Sequence, residues 1–145
     1  AHFTLLDSLG KRVDFLQEVC RALHLQNVTC VHARAEEIPD GYRQGFDFAV
    51  SRAVARLNLL CELCLPLAKK GGQFIALKGS RFAEEIEEGE AAVKILGGKI
   101  ISAEPVKLPG LDDGRAIIKI AKIKATTAQY PRKAGTPEKQ PLGSR

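Results

Sequence analysis

Four short polar clusters each follow an apolar run in this chain. Asp7-Ser8 follows Phe3-Thr4-Leu5-Leu6, Arg34-Ala35-Glu36-Glu37 follows Val28–His32, Ser51-Arg52-Ala53 closes the run that begins at Phe46, and Lys78-Gly79 follows Gln73-Phe74-Ile75-Ala76-Leu77. A carboxylate at the carboxyl end of a strand can accept both hydroxyl protons of a ribose, so Asp7 with Ser8 is a candidate nucleoside-binding half-site. Singly, each cluster has a plain structural explanation. Glu36 and Glu37 suit the acidic first turn of a short helix, Arg52 a pair with Asp47, and Lys78 an exposed loop cation. Delivered together to one sheet edge, they are expected to converge on a single ligand-binding rim.

The elements that must position them alternate. Phe3–Leu6 is expected as a strand. A helix of about four turns follows, capped by Ser8, with Val13, Leu16, Val19, Cys20 and Leu23 on its apolar stripe. Val28–His32 and Phe46–Ser51 read as the second and third strands. A helix over Leu57–Ala68 is expected to stop at Lys69-Lys70-Gly71-Gly72, where cations meet its negative pole and glycine ends it. Gln73–Lys78 is the fourth strand, and Ala83–Leu96 a helix halted by Gly97-Gly98. Ile100–Val106 and Ala116–Ile123 have no helix between them and should pair antiparallel at the sheet edge.

Strands joined by helices run parallel, because the return helix needs a sheet face to pack on. The expected fold is therefore α/β, a mostly parallel sheet finished by an antiparallel hairpin, with ligands bound at the carboxyl ends of the parallel strands. The glycine-rich strand and turn that ordinarily precede such an acid are expected upstream of Ala1. With no Met in the sequence, the 145 residues read as the C-terminal catalytic portion of a longer protein.

Composition fits one soluble domain, at 45% hydrophobic and 27% charged. No apolar run approaches the roughly 18 residues needed to cross a bilayer, and Phe3–Leu6 is too short for a secretory signal, so the expected setting is cytosolic and membrane-free. Cys61 and Cys64 have C-x-x-C spacing but fall inside an apolar helix, while Cys20 and Cys30 lie on other elements. With no second pair to complete a tetrahedral set, all four are expected as reduced core thiols and no metal is expected. His2, His24 and His32 are scattered and are expected in surface or packing roles.

The net charge of +5 is a property of the C-terminus. Acids and bases balance through residue 121, and residues 122–145 supply the excess. Residues 1–124 are expected as the main domain and 125–145 as a basic tail whose prolines and glycines exclude regular helix or strand. An extended cationic arm of this kind suits an anionic polymer.

Taken together, Leu5-Leu6-Asp7-Ser8-Leu9-Gly10-Lys11-Arg12, Arg34-Ala35-Glu36-Glu37, Ser51-Arg52-Ala53-Val54-Ala55, Ala76-Leu77-Lys78-Gly79 and Pro131-Arg132-Lys133-Ala134-Gly135-Thr136-Pro137 resemble the bacterial 16S rRNA guanine-N7 methyltransferase family, also called glucose-inhibited division protein B. The resemblance runs from about Phe3 to Leu142. It implies a class I S-adenosylmethionine-dependent methyltransferase fold, S-adenosylmethionine as cofactor, and 16S rRNA or the small ribosomal subunit as partner. Carried over position by position, it implies that Asp7 and Ser8 hold the donor's ribose and that Ala35 and Glu36 border the adenine. Arg52 would stand beside the donor with a role in binding and catalysis, and Arg132, Lys133 and Lys139 would contact RNA phosphates.

Guanine N7 carries a lone pair and no proton. Methyl transfer to it needs alignment and desolvation and no obligatory general base, consistent with a chain that shows no nucleophile or dyad. Because the major groove of A-form RNA is deep and narrow, the target base is expected in an unpaired or opened segment. Two other readings remain at this point: a class I methyltransferase acting on a small molecule or protein, and a non-enzymatic nucleotide-binding or RNA-binding module.

Overall fold

A computed structural model describes residues 1–52 and 55–144. Ala53 and Val54 of the Ser51-to-Ala55 motif, and Arg145, lie outside the described residues. The chain divides into two compact units, Ala1–Ile38 and Pro39–Arg145.

In the first unit, β1 (Phe3–Asp7) and β2 (Val28–His32) pair in parallel with Asp7 opposite His32, joined through α1 (Gly10–Ala22). The stripe on α1 is real but narrower than expected. Val13 is buried and Leu16, Val19 and Cys20 are half-buried, whereas Leu23 falls past the last helical residue and is exposed. After β2 the chain makes one 3-10 turn at Ala35–Glu37.

The second unit holds β3 (Phe46–Arg52), α2 (Leu57–Cys64), β4 (Ala68–Lys78), α3 (Phe82–Ile95), β5 (Gly98–Pro105), β6 (Ala116–Lys122) and the short α4 (Thr136–Lys139). Its strand order is β3-β4-β6-β5, with β3 parallel to β4 and β6 antiparallel to both its neighbours. The two parallel pairs and the terminal hairpin are as expected. Strand β1 pairs with β2 within the first unit, and β3 to β6 form the sheet of the second.

The core of the second unit lies between α2 and α3 and one sheet face, centred on Leu57, Leu65, Phe74, Leu96, Ile118 and Ile120. Strand β6 alternates buried and half-buried residues along its length, as a one-faced strand must. Helix α2 ends earlier than expected because Pro66 has no N–H to continue the ladder, and Lys69-Lys70-Gly71-Gly72 belong to β4 instead. Gly97 does stop α3, with φ +85 and its N–H on Lys94 O at 3.1 Å.

The tail is not an extended arm. Tyr130 and Leu142 pack against the core, Pro137 is buried, and Pro137 near the start of α4 is compatible with a helical first turn. Arg43 donates to the carbonyls of Tyr130, Thr126 and Thr127 at 2.5, 3.0 and 2.9 Å, which pins the segment.

Candidate functional site

In the first unit, parallel pairing brings the carboxyl ends of β1 and β2 to one edge, and Ala33 N–H extends the ladder onto Asp7 O at 3.1 Å. Asp7 and the Ala35–Glu37 turn are thereby neighbours at that edge. One Asp7 carboxylate oxygen accepts the Leu9 N–H at 2.8 Å, and the other lies 3.6 Å from the Arg12 guanidinium. Asp7, not Ser8, therefore serves the entry to α1; Ser8 is exposed and makes no cap hydrogen bond. The carboxylate oxygens retain unused lone pairs, which fits an acceptor for vicinal hydroxyls.

His32 holds the loop that carries Ser8. Its Nε2 lies 3.1 Å from Ser8 O, and a Cβ on Gly10 would sit 3.4 Å from its ring. The turn after β2 is closed by Glu37 N–H on Arg34 O at 3.0 Å, with Ala35 and Glu36 half-buried and Glu37 exposed. Glu36 and Glu37 are thus on a short helical turn, as the plain explanation has it, and that turn stands at the same edge as Asp7.

In the second unit, Arg52 ends β3 opposite Leu77 of β4. Both line an open cavity of about 670 Å³. Leu77, Val106, Leu108 and Ile117 provide apolar wall, and Arg52, Asp113 and Arg115 provide charge. That volume is in the range of small-ligand pockets, roughly 300 to 1,000 Å³. Arg52 does not pair with Asp47, because residues five apart on a strand point to opposite faces. Asp47 pairs instead with Lys69 at 2.5 Å, which holds its carboxyl below the usual range.

Lys78 is not an exposed loop cation. Its side chain is 3% exposed and its Nζ meets Ala55 O and the Glu85 carboxylate, both at 2.7 Å. The same Glu85 oxygen accepts the Leu57 N–H at 2.9 Å, so one buried pair ties the end of β4 to the starts of α2 and α3.

Two cavity residues were not identified from the sequence. Asp113 and Arg115 sit on the segment between β5 and β6, which reads in sequence only as turn-rich. Its length was the available signal, since hairpins need two to five loop residues and residues 106–115 exceed that. The segment has a defined shape. Val106 N–H bonds Arg115 O at 2.8 Å, Leu111 N–H bonds Leu108 O at 3.0 Å, and Arg115 Nε donates to Asp113 at 2.5 Å. Gly114, at φ +66, passes so near Ser80 that a Cβ would lie 2.9 Å from the serine Cβ, which glycine alone avoids.

Part of the basic excess at the C-terminus is consumed internally. Lys122 is 1% exposed and donates to Leu65 O and Ala68 O at 2.5 and 2.9 Å, just past the end of α2. Burial, with Arg43 nearby, lowers its pKa to about 8. Arg132 forms a bidentate pair with the fully buried Glu62 at 2.9 and 2.7 Å, and also donates to Gln140 O at 2.7 Å. Its hydrogen bond to Glu62 raises its pKa further. Among the described residues of this stretch the exposed cations are Lys124, Lys133 and Lys139. Cys61 is buried in the core and Cys64 packs against it, with burial pushing Cys64 up to about 12. Cys20 and Cys30 are half-buried thiols on α1 and β2.

Among the described residues no helix is long and apolar enough to cross a membrane. A family described as rRNA small subunit methyltransferase G, GidB, matches residues 1–109. Curated relatives named ribosomal RNA small subunit methyltransferase G include one from Alkaliphilus oremlandii, 51% identical over 141 residues, and one from Lactobacillus delbrueckii subsp. bulgaricus, 47% identical over 142. Each match covers 96% of this chain, which spans 59% of the relative's length. Among solved structures, M. jannaschii TYW2 in complex with AdoMet is similar with a TM-score of 0.64 at 15% identity, covering 83% of this chain and 57% of that one. An rRNA methylase from Streptococcus thermophilus matches with a TM-score of 0.61 at 11% identity over 85% of this chain and 74% of that one. At such identities the structural likeness shows the fold alone, a class I methyltransferase α/β fold.

Proposed function

The chain belongs to the rRNA small subunit methyltransferase G family, and we propose that it serves the transfer of a methyl group from S-adenosylmethionine to N7 of a guanine in small-subunit ribosomal RNA. The observation that carries this reading is the edge where Asp7 and the Ala35–Glu37 turn stand side by side at the carboxyl ends of parallel strands. A nucleoside offers two hydroxyl donors to the first and a purine edge to the second.

S-adenosylmethionine, when bound, supplies an electrophilic methyl group on a sulfonium. The chain's residues bind and orient. Asp7, with Ser8 beside it, accepts the ribose hydroxyls, and His32 and Leu9 N–H fix that loop in advance. Ala35 and Glu36 border the adenine. In the second unit Arg52, exposed at the end of β3, engages the target base, since a planar guanidinium both stacks on a purine and hydrogen-bonds. The acceptor nitrogen has no proton, so no side chain has to remove one. The apolar cavity walls exclude water instead.

Lys133 and Lys139 contact phosphates of the small-subunit RNA, whereas Arg132 is assigned to holding the tail. Calorimetry with S-adenosylhomocysteine tests the donor half. Titratable heat that Asp7→Ala removes is expected, and a flat trace with the unaltered, natural full-length protein contradicts the reading. For the RNA half, the slope of log affinity against log salt should shrink by about 0.7 to 0.9 for each of Lys133→Ala and Lys139→Ala. An unchanged slope removes both lysines from the interface.

A further inference from the structure

We infer that Asp113, oriented by Arg115, reads the Watson–Crick edge of the target guanine and so makes the 106–115 segment the base-selecting element. This rests on the methyltransferase reading above and adds a residue to it.

The cavity beside Arg52 is lined on its apolar sides by Leu77, Val106, Leu108 and Ile117, surfaces against which a flat purine buries its faces. Charge enters it from Arg52, from the Asp113–Arg115 pair and from Lys78, whose Nζ is spent on Ala55 O and Glu85. The pair is bonded through Arg115 Nε at 2.5 Å. That bond leaves the second carboxylate oxygen of Asp113 and the terminal nitrogens of Arg115 for a ligand. Side by side, then, stand a carboxylate with one oxygen free and a lone pair remaining on the other, and a guanidinium with spare N–H groups.

Guanine presents the complementary row. N1–H and the N2 amino group are adjacent donors that one carboxylate accepts together, and O6 beside them is an acceptor for a guanidinium. Adenine shows an acceptor at N1 where guanine shows a donor, and would place a lone pair against the carboxylate. Uracil and cytosine lack the second ring that fills the apolar walls. A guanine held by its Watson–Crick edge keeps N7, on the imidazole ring, free of the pair that binds it. The target base must then be unpaired when bound, because the edge used for pairing is the edge being read.

The segment is shaped for this role before any ligand arrives. Its ends are tied by Val106 N–H on Arg115 O, and Gly114 is locked against Ser80. Specificity of this kind needs preset polar groups, because rejection comes from leaving them unpaired.

The test uses the natural full-length protein and small-subunit RNA assembled by ligation with either guanine or inosine at the methylated position, inosine lacking only the N2 amino group. The unaltered protein is expected to methylate guanine with kcat/KM about tenfold or more above inosine. Asp113→Ala should lower guanine methylation and bring the two substrates within about twofold. Asp112→Ala, one residue away and outside the cavity lining, should keep the original preference, which separates base reading from a general disturbance of the segment. Arg115→Ala should weaken both substrates through loss of the O6 contact and also narrow the guanine preference, because Asp113 loses the group that orients it. An Asp113→Ala protein that keeps the original guanine preference overturns the inference while leaving the methyltransferase reading standing. An unaltered protein that methylates neither RNA overturns both.

Discussion

Residues 1–38 and residues 39–144 hold their polar groups in place by different means. In the first unit Val13 is the one buried hydrophobic side chain among the described residues, while Phe15, Leu23 and Phe3 are 66%, 63% and 54% exposed. Its candidate ribose site is held by hydrogen bonds: Leu9 N–H on Asp7, Ala33 N–H on Asp7 O, and His32 on Ser8 O. The second unit buries Leu57, Leu65, Phe74, Leu96, Ile118 and Ile120. Its framework is further locked by two ion pairs with a buried member, Lys78–Glu85 and Arg132–Glu62. Substitutions at the first site should therefore act on binding, and substitutions beneath the second should act on folding.

The largest effect expected from this contrast is in the core. Phe74→Ala should cost about 3 to 5 kcal/mol in denaturant unfolding, through lost burial and a cavity that closely packed neighbours cannot fill. Leu16→Ala, on the half-buried stripe of α1, should cost about 1 kcal/mol or less, because little apolar surface leaves water there. Equal costs would erase the distinction between the units.

Next comes the tail. Glu62→Ala leaves Arg132 without its carboxylate partner and strips an acceptor from the Arg132 backbone N–H as well. Breaking a buried pair by removing one member typically costs about 3 kcal/mol or more. Limited proteolysis should then cut within residues 126–142 at protease levels the unaltered protein resists. Persistent protection would show that Arg43 and the packing of Tyr130 and Leu142 suffice.

The smallest effect is a pH dependence. The pKa of Lys122 is about 8 in the fold and near 10.5 when unfolded. Between those values the unfolded chain binds more protons, so this residue makes stability rise as pH increases from about 8 towards 10.5. Lys122→Met should flatten that rise in thermal melts at pH 8 and pH 10. A rise of the same size in the variant would assign it to other groups.

The alternation of apolar runs with turn residues was enough to place all six strands and the three longer helices, because burial on one face imposes a period that sequence displays directly. End points were less legible. The α2 boundary depended on Pro66 outweighing the lysines and glycines beyond it, and the α1 entry on Asp7 serving where Ser8 was expected. Charged residues were the hardest to read. Lys78, Lys122 and Arg132 all look in sequence like solvated cations, and each is satisfied by acceptors at least 7 positions away along the chain, as with Ala55, Leu65 and Glu62. Those partners become neighbours only through tertiary folding, which no local pattern records. Asp113 and Arg115 escaped notice for a related reason, since a turn-rich composition says where a loop lies and not which cavity it lines.

The most direct test of the account is transfer of an isotopically labelled methyl group from S-adenosylmethionine to unmethylated small ribosomal subunits by the natural full-length protein, followed by mass-spectrometric mapping of the labelled nucleotide. The account predicts label on N7 of a guanine, reduced by Asp7→Ala at limiting donor and by Arg52→Ala even at saturating donor. Label on another base or atom, or transfer that neither substitution alters, would contradict it.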